Sequence, residues 1–125
     1  MAGSVIKAAQ ASGLDLQTTL FLALEENQNA IDEERTQALK RAEAQRDYKR
    51  ALAKEMTRIR METSIPASMA KDAAFADDEV AEAYYASVLQ DGLWEACREV
   101  TMLRKREVDT IREELARMHT EGGWR

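Results

Sequence analysis

The chain has 125 residues, with 18 basic against 23 acidic side chains for a net charge of −5, and it contains one proline and five glycines. That length holds one modest core rather than two, and the prevalence of Ala, Leu, Glu, Arg, Lys, Gln and Met, which lose little rotamer freedom in a helix, predicts an all-α fold. The negative balance excludes attraction of the whole molecule to phosphates or anionic lipid, and one cysteine with one histidine excludes an internal disulfide and a structural zinc site.

Residues 1–19 read as an N-terminal arm or short helix, in which Gly13 supplies a stop after the run SVIKAAQAS. Asp15 or Thr18 can cap the next segment. A long helix is predicted over 20–62, a stretch free of proline and glycine. Its seam is read at seven-residue spacing through Leu24, Ile31, Ala38, Gln45, Leu52 and Ile59, with Leu20, Asn27, Ala42, Tyr48 and Met56 on the same face. Ala38, Ala42 and Gln45 make the middle of that seam small or polar, which predicts close backbone approach there and a core densest toward the helix ends.

The sequence Thr63-Ser64-Ile65-Pro66 ends the long helix, because the residue before a proline is pushed out of the α region. A short elbow helix is predicted over 66–75, with Ser64 or Ile65 near its cap and Met69, Ala70, Ala73 and Phe75 closing the end of the core. Asp77, Asp78 and Glu79 then place a cap and negative charge at the positive end of a second long helix, predicted over 78–119. The tail, 120–125, ends in Gly-Gly-Trp-Arg, and Trp124 is a candidate docking residue.

The last helix carries two apolar stripes. Leu89, Leu93, Ala96, Val100 and Leu103 form one, and Val80, Trp94, Cys97, Val108, Ile111, Leu115 and Met118 form its neighbour. Two helices of about 40 residues, each about 60 Å long and joined by a short elbow, favour an antiparallel hairpin resembling a coiled-coil bundle. A single partner helix covers one stripe, so the surplus predicts a homo-oligomer whose interface draws on Tyr84, Tyr85, Leu89, Trp94, Val100, Leu103 and Ile111.

Charge is unevenly spread. Over 35–60 nine basic residues face three acidic ones, and Arg35, Lys40, Arg46, Lys49, Arg50, Lys54 and Arg58 are the candidates for contact with a single-stranded nucleic acid, with Tyr84, Tyr85 and Trp94 as candidate stacking partners for bases. The alternative is a solvated helix face laced with ion pairs, complemented by Asp77, Asp78, Glu79, Glu82, Asp91 and Glu95 in a stretch without Lys or Arg. Ala116 occupies the position where a Glu-x-x-His iron motif on His119 needs its carboxylate, so no metal or other cofactor is expected. Cys97 sits among apolar residues, away from any activating histidine in sequence, and reads as core. No phosphate loop, strained serine turn or basic reading helix is recognisable, and the expectation is a protein that is not an enzyme.

The lone thiol and the lack of any run near the roughly 18 apolar residues of a membrane span lead to an expected cytoplasmic location without membrane contact. No charged segment followed by an apolar run marks a secretory leader.

The segments Asp47-Tyr48-Lys49-Arg50-Ala51-Leu52-Ala53, Ile65-Pro66-Ala67, Glu95-Ala96-Cys97-Arg98-Glu99 and Arg104-Lys105-Arg106-Glu107 resemble a group of small helical phage and prophage proteins. The resemblance implies an accessory factor found near replication and recombination genes. With the basic stripe and the surplus apolar arc, it leads to the expectation of a self-associating phage-type protein that assists DNA replication or recombination, binding single-stranded DNA or a recombinase. The alternative is a helical adaptor or inhibitor that presents its acidic stretch to a host or phage enzyme.

Overall fold

The computed structural model describes residues 15–121, all-helical but for short connections. Three helices succeed one another: α1 (Leu16–Glu62), α2 (Ala67–Ala74) and α3 (Asp78–Glu121). The segments 1–14 and 122–125, with the N-terminal arm and Trp124, lie outside the described residues.

Each boundary has a local cause. Asp15 caps α1 by accepting a hydrogen bond from the Thr18 backbone N–H on Oδ1 at 2.7 Å, so the helix starts at Leu16, ahead of the predicted residue 20. Pro66 is the N-cap of α2 rather than a residue of its first turn. Its backbone is extended (φ −60°, ψ 153°), and its carbonyl accepts from the Met69 and Ala70 N–H groups. Asp77 opens α3 by accepting from the Val80 N–H at 3.2 Å, with Asp78 and Glu79 in the first turn.

The described residues form two compact units, one joining 15–34 with 96–121 and the other spanning 35–95. In the first unit α1 and α3 run antiparallel: Arg104 pairs with Glu26 at 3.1 Å and the Thr101 hydroxyl donates to the Ala30 carbonyl at 3.3 Å. Its core is Ala23, Val108 and Ile111, flanked by Leu20 and Leu115. In the second unit Arg41 and Gln45 of α1 meet Asp91 of α3, and further along Tyr48 meets Tyr84, again in antiparallel order. Its core, at the elbow, is Ile59, Ala70 and Ala74, packed by Leu52, Met56 and Ile65.

The seam matches the predicted one in most of its residues and differs from it in the middle. On α1 the line of covered positions runs through Ala23, Asn27, Ala30 and Glu34 in the first unit, and through Gln37, Arg41, Ala44, Tyr48, Ala51 and Glu55 in the second. This line shares Asn27 and Tyr48 with the predicted seam, and Leu20, Ile31, Gln45, Leu52, Met56 and Ile59 of that seam lie beside it and are also covered. Ala38 and Ala42 are exposed, and Leu24 is only partly covered. The physical reason is size matching: Val108 and Ile111 on α3 are accommodated by Ala23, so small residues of α1 turn inward and several large ones stay outside. On α2 the buried pair is Ala70 and Ala74, one turn apart, while Met69 and Ala73 face outward.

Candidate functional site

On α3, helix α1 covers the second apolar stripe and not the first. Val80 and Trp94 in the second unit, and Cys97, Val108, Ile111 and Leu115 in the first, are buried or half-buried. Met118, from the same stripe, is exposed. Polar residues are covered beside them: Ser87 and Gln90 in the second unit, and Thr101 and Arg104 in the first. Asn27 Oδ1, Gln37 Oε1 and Gln90 Oε1 are buried without a hydrogen-bond partner.

The first stripe stays on the surface. In the second unit Tyr85 is 70% exposed and Leu89 48%, with Val88 and Leu93 alongside. In the first unit Val100 is 45% exposed and Leu103 half-buried. There Ala96, Glu99, Val100, Met102, Leu103 and Arg106 line an open groove of about 520 Å³. Within the single helix α3, Leu89, Leu93, Ala96, Val100 and Leu103 are separated by alternating steps of four and three, the spacing that keeps a seam facing a neighbouring helix. Gly92 lies on the edge of this stripe, and a methyl group built on it meets nothing within 4 Å. Packing within the chain therefore does not call for a glycine there, although one in a helix interior costs about 1 kcal/mol relative to alanine.

Three residues expected at an assembly interface are used inside the chain. Ile111 is completely buried at the centre of its core, which withdraws it from any outer surface. Trp94 lies under the Arg41 guanidinium, 4.3 Å from the ring centroid. Tyr84 packs in an aromatic trio, 5.3 Å from Tyr48 and 5.4 Å from Phe75 between centroids, though part of it remains exposed. Tyr85, Leu89, Val100 and Leu103 keep accessible surface on α3, joined by Val88 and Met102, which hydropathy spacing misses because neither falls on the two predicted stripes.

The basic stripe of α1 is divided by its neighbours. Arg58 binds Glu55 and also Glu62, the latter at 2.6 Å, which holds the Glu55 carboxyl below its usual range and Arg58 above its own. Lys40 lines a groove with Glu43, Asp47, Glu79 and Glu82, and Lys54 lines another with Asp47, Arg50 and Glu79. Arg46 stands 3.6 Å from Asp47. Arg35, Arg46, Lys49 and Arg50 are exposed.

No family model, curated protein or solved structure matches this chain. Among the described residues no group of three or more His, Cys, Asp or Glu could hold a metal ion, and no helix is long and apolar enough to cross a membrane. Cys97 is half-buried in the α3 seam.

Proposed function

We propose that this protein is a self-assembling helical accessory module that works by docking the outer face of α3 against another helix. The observation that carries the reading is a surplus apolar face: α3 turns Val80, Trp94, Cys97, Val108, Ile111 and Leu115 toward its own chain and still leaves Leu89, Leu93 and Val100 outside. An apolar row at coiled-coil spacing gains most from a partner helix, since each half-exposed Leu or Val has about half of its roughly 1.5–3 kcal/mol of burial still to gain. The test is solution mass by light scattering for the native chain and for a Leu89→Glu/Leu93→Glu variant. Assembly is expected for the native chain and its loss for the variant; a native chain that stays at 14.1 kDa at every concentration refutes the reading.

A second reading, contact with a single-stranded nucleic acid, rests on the exposure of Arg35, Arg46, Lys49 and Arg50. Carboxylates neighbour Lys40, Lys54 and Arg58, and Asp47 stands near Arg46 and Arg50, which leaves Arg35 and Lys49 as its principal support. Binding that weakens with salt and is lost on replacing Arg46, Lys49 and Arg50 by Gln is its expected signature.

A further inference from the structure

We draw no further inference here: the strongest candidate, the open groove along α3 in the first unit lined by Ala96, Val100, Met102 and Leu103, belongs to the apolar face already described, and nothing in the structure shows what covers it.

Discussion

Replacing Gln37 by methionine is expected to stabilise the chain. Gln37 lies in the seam of α1, only 9% exposed, and its Oε1 is buried without a hydrogen-bond partner. Leaving a buried carbonyl unsatisfied costs about 1–3 kcal/mol, and methionine has nearly the same length and branching without the polar atoms. The gain is set at about 1–2 kcal/mol, since some of the penalty is relieved by side-chain adjustment. For a chain of this size that is a rise of about 4–8 °C in the thermal midpoint. Urea unfolding monitored by circular dichroism is the assay, run at concentrations where light scattering gives the monomer mass, so that assembly adds nothing. An unchanged or lowered urea midpoint at constant m-value refutes the reasoning: the Gln37 amide would then be well served where it is, and the polarity of the seam would be a source of stability.

The same geometry sets other outcomes. Ile111→Ala removes a completely buried side chain and is expected to cost about 2–5 kcal/mol, read as a lower urea midpoint. Arg41→Ala removes both the 2.7 Å pair with Asp91 and the cation over Trp94; both partners of that pair are partly exposed, so a loss of about 1 kcal/mol is expected, with a change in Trp94 fluorescence in a Trp124→Phe background. The Asp15 carboxyl is held below its ordinary value by the hydrogen bond from the Thr18 N–H. A lowered folded-state value means that the capping contribution is whole above the ordinary aspartate range and is lost as pH falls through the lowered one. Amide exchange in the first turn of α1 should therefore rise on acidification beyond the intrinsic pH trend, and in Asp15→Ala it should already be fast at neutral pH.

Helix type and the elbow are legible in the sequence because Asp15, Pro66 and Asp77 act locally through backbone geometry and capping. The two stripes of α3 are legible too, since large side chains at helical spacing mark faces whatever they touch. What hydropathy does not show is which stripe goes inside. On α1 it selects bulky residues such as Leu24, whereas packing against Val108 and Ile111 uses Ala23. Small and polar side chains carry little hydropathy signal, so seam positions such as Ala30 and Glu34, or Gln37, Arg41 and Ala44, are nearly silent in sequence. Counting charges along α1 overstates the reach of the basic stripe for a related reason: Glu79 approaches Lys40 and Lys54 only once the helices are paired.

The carboxylate of Asp91 has a consequence for alignment. It accepts from the Arg41 guanidinium at 2.7 Å and from the Gln45 amide at 3.3 Å. Two helices joined by leucine alone can slide past one another by a heptad and find nearly equivalent contacts. Here a slide of seven residues along α1 exchanges Arg41 for Glu34 or Tyr48, neither of which is a cation, and strands a charged group against the seam. Asp91 thus works as a detent: it adds little to the depth of the energy well and a good deal to its uniqueness, fixing one offset among those a helical pair could otherwise sample.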